Sequence, residues 1–127
     1  MPRYEDVQDF LIKFRIRQNE IPDADTDLGI LDKRFQHMQE ELMEFMYSKN
    51  CEDLPGMVDA LIDLVYVAYG TSAILGLSAD QWQRCFEEVH RANMSKVKDK
   101  SDKSHKVGVK KPDGWKAPDF TDILKDK

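Results

Sequence analysis

Residues 54 to 77, "LPGMVDALIDLVYVAYGTSAILGL", are apolar on nearly every side of a helical projection, and Asp59 and Asp63 are their only charges. A helix of that kind is buried on most of its surface, so the rest of the chain has to supply helices that cover it. Its limits are legible in the residues. The preceding "CEDLPG" offers Asp53 as a cap and Pro55 in the first turn, and Gly76 suits the end, which predicts a helix from about Leu54 to Leu75.

Three more helices follow from apolar spacing. Tyr4, Val7, Phe10, Leu11 and Phe14 recur at i, i+3 and i+4, predicting a first helix over residues 4 to 17 that ends near Gln18. "NEIPDADTD" has no period and reads as a loop, with Asp27 available to cap what comes next. Leu31, Phe35, Met38, Leu42, Phe45 and Met46 then mark a long helix from Leu28 to about Lys49. Ser78 with Gln81 three residues on forms a capping box, opening a helix to about Ser95 with Trp82, Cys85, Phe86 and Val89 facing inward. The fold class is therefore all-α, a four-helix core over residues 1–96 with a C-terminal extension over 97–127. That extension begins as a Lys/Asp/Ser-rich run of the mobile-loop type. It continues into "VKKPDGWKAPDF", whose aromatic and proline residues imply ordered packing.

Charge and composition exclude several classes. The chain has 127 residues, 41% hydrophobic and 34% charged, which describes one globular domain with a modest core, of a size that often completes its burial by forming a dimer or tetramer. Its net charge is −5, but from Lys96 onward 10 Lys face 6 acidic residues, so the tail carries +4 and residues 1 to 95 carry −9. An acidic body of this kind argues against duplex nucleic acid as a partner. Cys51 and Cys85 have no metal-type spacing and fit a reducing cytoplasm as incidental thiols. No secretory segment opens the chain, and the apolar stretch is interrupted by Asp63, so neither export nor membrane spanning is expected.

The carboxylates are the chemically informative residues. In "HMQEELMEFM", Glu40 and Glu41 each share a helix face with Glu44, and Asp59 and Asp63 share a face on the next helix. A short connection makes these two helices antiparallel neighbours, so up to five carboxylates can meet. Like charges at that spacing repel, and burying them uncompensated costs several kcal/mol. Neither segment supplies Lys or Arg, from Gln36 to Tyr47 or from Pro55 to Leu77. A hard divalent cation, Mg2+ first and Mn2+ second, fits the oxygen ligands. Bland readings exist for some of these groups: Glu40 and Glu41 can be solvated, and Asp59 can be stabilised by the helix N-terminus. Asp63 lies too far inside an otherwise uncharged helix for either.

"EELMEF", "DALIDLVYVAYGTSAILGL", "VHRANMSK" and "KKPDGWKAPDF", together spanning roughly Phe35 to Phe120, resemble the all-α nucleoside triphosphate pyrophosphohydrolase superfamily, the MazG-like and phosphoribosyl-ATP pyrophosphohydrolase-like proteins. The resemblance implies a Glu-x-x-Glu and a Glu-x-x-Asp that bind Mg2+. These correspond to Glu41 and Glu44 and, at the last position, to Asp63. Ala60 stands where the pattern has Glu, and Asp59 is the nearest acid that can replace it. Glu40 matches a leading glutamate often found there, and Glu40 or Glu41 is the implied proton acceptor for an attacking water. The activity implied is cleavage of a nucleoside triphosphate between the α and β phosphates.

For the rest of a substrate, the resemblance points to Asn93 and Lys96, and the Lys-rich tail adds Lys110 and Lys111. Taken alone, these lysines read as a helix-dipole partner and solvated charges. Trp115, after a Pro-Asp-Gly turn, either offers a plane to a base or anchors the tail on a neighbouring subunit. His90, Tyr66 and Tyr69 read mainly as packing residues. The expected function is Mg2+-dependent conversion of a (deoxy)nucleoside triphosphate to monophosphate and pyrophosphate, with purines such as dGTP preferred, in a bacterial cytoplasm or a phage-infected host. The alternatives are a dUTP/dUDP pyrophosphatase of the same superfamily and a non-catalytic acidic helical interaction module. Histidine biosynthesis is disfavoured because the first helix lacks the pattern of a dedicated phosphoribosyl-ATP enzyme.

Overall fold

A computed structural model describes residues 3–24, 28–99 and 108–126, with only the backbone of Leu28. Its elements are α1 (Tyr4–Lys13), α2 (Leu28–Asn50), α3 (Leu54–Ile74), α4 (Ala79–Met94), β1 (Val97–Lys98), β2 (Val109–Lys110) and α5 (Thr121–Lys125). The fold is all-α, its two strands forming only a two-residue antiparallel ladder in which Val97 faces Lys110. The chain forms two compact units, residues 1–79 and 80–127.

In the first unit α2 and α3 form an antiparallel pair, joined by a turn that Asp53 organises. Its backbone N–H donates to the Ser48 carbonyl at 2.8 Å, and its side chain accepts from the Gly56 N–H at 3.1 Å, capping α3. Helix α1 lies along α3. The Tyr4 hydroxyl stands 3.0 Å from both Ser72 Oγ and the Leu77 carbonyl oxygen, and burial holds its pKa up to about 12, so it remains a neutral donor. Val7, Leu11, Val67, Ala73 and Ile74 form the buried centre around it.

Three helices of this unit end in the same way. After α1, α2 and α3 one residue turns left-handed, namely Arg15 (φ 55°), Glu52 (φ 54°) and Gly76 (φ 103°). In each case its N–H and the next N–H reach back to the last turn, as in Arg15 to the Ile12 carbonyl and Ile16 to the Leu11 carbonyl. This corrects the expected length of α1, which ends at Lys13 rather than near Gln18. A left-handed arginine carries no glycine signal, and the apolar period continues through Phe14, which remains exposed. The loop that follows covers the end of α3: Asn19 N–H donates to the Ile74 carbonyl and Asp23 N–H to the Leu75 carbonyl. The expected cap Asp27 lies outside the described residues.

Burial of α3 also differs from expectation. Leu54, Val58, Leu61, Ile62, Val65 and Tyr66 are exposed, as are Phe35, Leu42 and Met46 on α2. Among the described residues of the first unit, α1 and α2 cover α3 from one side and leave the rest of its apolar surface open. By length and composition α3 is apolar enough to cross a membrane, yet it belongs to this helix pair and carries Asp63 into it.

In the second unit the C-terminal segment packs on α4. The Gln81 amide donates to the Ile123 carbonyl at 3.3 Å and to the Asp126 carbonyl, and Arg84 pairs with Asp126 at 2.7 Å. The Trp115 indole N–H donates to the carbonyl of the fully buried Ala92 at 2.8 Å, giving "VKKPDGWKAPDF" the ordered packing its aromatic and proline content implied. Phe86 and Val89, expected to face inward, are exposed, because the segment covers Gln81 and Ala92 instead. Most of the Lys/Asp/Ser-rich run, residues 100–107, lies outside the described residues.

Candidate metal centre

Helices α2 and α3 bring three carboxylates together. One oxygen from each of Glu41, Glu44 and Asp63 lies within 4.8 Å of the other two. Glu41 points from α2 into the helix pair and is 7% exposed, Asp63 on α3 is half-buried, and Glu44 is exposed. Glu41 and Glu44 are three residues apart and share a face of α2, and α3 presents Asp63 to that face.

The electrostatics of the group centre on Glu41. Its Oε2 is buried without a hydrogen-bond partner, while Oε1 lies 3.4 Å from His37 Nε2. Burial raises the Glu41 pKa above the usual carboxylate value, Glu44 and Asp63 raise it further, and His37 opposes them. A buried carboxylate oxygen without a donor, beside two more carboxylates, is a donor set suited to a hard divalent cation.

The other expected site residues fall elsewhere. Asp59 is exposed and lies outside this group of three. It shares with Glu44, Met43, Tyr47, Ser48 and Gly56 a groove of about 440 Å³. Ala60, where the resemblance has Glu, is buried, so that position is filled by packing. Glu40 is exposed and lines an adjoining groove of about 690 Å³ with Gln36, Gln39, Met43 and Glu44, the last two shared with the first groove. Sequence reasoning missed His37, although its i+4 spacing to Glu41 places it on the same face.

In the second unit, Lys96 and Lys111 converge on Trp115, their Nζ atoms 5.5 and 4.9 Å from the ring centre. The ring is held by its bond to Ala92. Asn93 is exposed at the end of α4 and Lys110 is exposed on β2. Neither joins the contacts around Trp115.

The sequence matches the family model of phosphoribosyl-ATP pyrophosphohydrolase over residues 7–93. The chain belongs to that family. It is thereby a pyrophosphohydrolase of the MazG-like all-α superfamily, acting on phosphoanhydride bonds. The match takes in most of α1 and every residue of the carboxylate group, and it ends at Asn93, before Lys96, Lys110, Lys111 and Trp115. No curated protein matches the sequence significantly.

Proposed function

We propose that the protein is a Mg2+-dependent nucleoside triphosphate pyrophosphohydrolase that converts a (d)NTP and water to (d)NMP and pyrophosphate, with purines such as dGTP preferred. The observation that carries this reading is the convergence of Glu41, Glu44 and Asp63 around a buried, partnerless Glu41 oxygen. These three would hold the cation. When bound, it neutralises phosphate oxygens and lowers the pKa of a water. Glu40, exposed beside Glu44, accepts the proton of the attacking water, and Glu41 is the alternative acceptor. His37 holds Glu41 Oε1 in place. Asp59 extends the acidic surface next to Glu44. In the second unit, Asn93, Lys96, Lys110, Lys111 and Trp115 are assigned to substrate binding, the lysines meeting negative charge.

The exposed apolar faces of α2 and α3 support a homodimer or homotetramer, working in the cytoplasm. A second substrate, phosphoribosyl-ATP, is favoured by one observation, the inclusion of α1 residues in the family match. The test is to incubate the protein with Mg2+ and each common NTP and dNTP, dUDP and phosphoribosyl-ATP, then quantify monophosphate and pyrophosphate. Glu44→Ala and Asp63→Ala run alongside. Pyrophosphate equimolar with a monophosphate, lost in both folded variants, supports the reading; turnover unchanged in the variants refutes it. Monophosphate from dUDP would favour the dUTP/dUDP branch, and no turnover at all a binding module.

A further inference from the structure

The α2–α3 pair is pinned on both sides of its carboxylates. On one side is the Ser48–Asp53 turn, beginning seven residues after Glu41. On the other is Arg34, seven residues before it. Arg34 Nε donates to Thr71 Oγ1 at 3.1 Å and Nη2 donates to the Val67 carbonyl at 3.0 Å. Thr71 Oγ1 in turn donates to the same carbonyl at 2.7 Å, closing a three-membered network across the helix seam. Gly70 makes room for it, because a Cβ there would stand 2.5 Å from Arg34 Nη2.

Along α2 seven residues span about 10.5 Å, or two turns, and along α3 Val67 follows Asp63 by one turn on the same face. A slip of one helix by a single residue moves a carboxylate by about 1.5 Å. Metal ligation tolerates only about 0.2 Å in ligand distance. Register is therefore as much a part of such a site as the ligands are.

We infer that Arg34 is a positioning residue for the carboxylate group: its two-pronged grip on the Val67 carbonyl and Thr71 hydroxyl, admitted by Gly70, fixes the register that brings Asp63 to Glu41 and Glu44. The inference rests on the metal-centre reading above. It assigns Arg34 no contact with substrate or cation. Lysine keeps the charge but not the planar fork, so Arg34→Lys separates grip from charge.

The experiment measures Mn2+ affinity of the full chain by the free-ion EPR signal, with thermal unfolding of the same samples. Arg34→Met, Arg34→Lys and Gly70→Ala are each expected to weaken Mn2+ binding by about tenfold or more, the usual effect of losing a group that orients a ligand. Leu11→Ala, which empties a buried position on α1, is the comparator. It is expected to lower Tm at least as much while leaving Mn2+ affinity within about twofold, since Leu11 lies on α1 and not on either helix that carries the carboxylates. Wild-type affinity in Arg34→Met and Gly70→Ala, or an equal loss in Leu11→Ala, overturns the inference and leaves Arg34 a purely structural residue. Wild-type affinity in Arg34→Lys alone assigns the effect to charge and overturns it too. If Arg34→Met does not fold, Gly70→Ala, which retains the guanidinium, decides. A parent protein that binds no Mn2+ overturns the metal-centre reading and this inference with it, a result distinct from any difference among variants.

Discussion

Replacing Glu41 by Gln should stabilise the metal-free protein and destabilise the metal-loaded one. The carboxylate oxygens of Glu41, Glu44 and Asp63 lie within 4.8 Å of one another. Two unit charges at that distance repel by about 3.5 kcal/mol at an effective dielectric of 20 and by about 0.9 kcal/mol in bulk water. Glu44 is exposed and near the lower value, Asp63 is half-buried, and loss of the His37 contact offsets part of the gain. The net expectation is about 1–2 kcal/mol, or about 4–8 °C in Tm. The pH dependence has a definite sign. The folded-state pKa of Glu41 is raised, so the cost of ionising it grows from the unfolded value upward and is complete above the folded one. The advantage of Glu41→Gln should therefore vanish below about pH 4 and grow as the pH rises through the raised folded-state value. Saturating Mg2+ reverses the order, since at 100 times Kd it adds about 2.7 kcal/mol to a protein that binds it. The assay is thermal unfolding at fixed protein concentration in EDTA and in Mg2+, from pH 4 to 7.5. A variant less stable than the parent in EDTA at pH 7 refutes the reasoning, because Glu41 would then be held by net favourable contacts.

Two further changes test the fold. Arg15→Gly places glycine at the left-handed position that ends α1 and should stabilise the protein by about 0.5–1 kcal/mol, read by urea denaturation. Ile62→Asp charges the exposed apolar face of α3, one residue from Asp63, and should shift the mass measured by light scattering toward monomer. An unchanged mass would place the subunit contact on another face.

The helix pair and its acids are legible in the sequence because their signals are local. Asp53, Pro55 and Gly76 bracket α3 in the residues themselves, and i, i+3 spacing alone puts Glu41 and Glu44 on one face. The end of α1 is not legible, since a left-handed arginine looks like any other arginine and the apolar period runs on through Phe14. Arg34 and Gly70 are 36 residues apart in sequence, and only the register of α2 against α3 reveals that the one needs the absence of a side chain in the other. Asp59 shows the limit of spacing arguments: it shares a face with Asp63, yet it opens onto the groove beside Glu44 rather than joining the three converging oxygens.

Whether these carboxylates hold a metal is read out by the anomalous scattering of Mn2+ in crystals of the protein. A single strong peak is expected at ligand distance from oxygens of Glu41, Glu44 and Asp63, absent in Asp63→Ala. A Mn2+ peak elsewhere, or none at saturating Mn2+, would contradict the metal-centre reading.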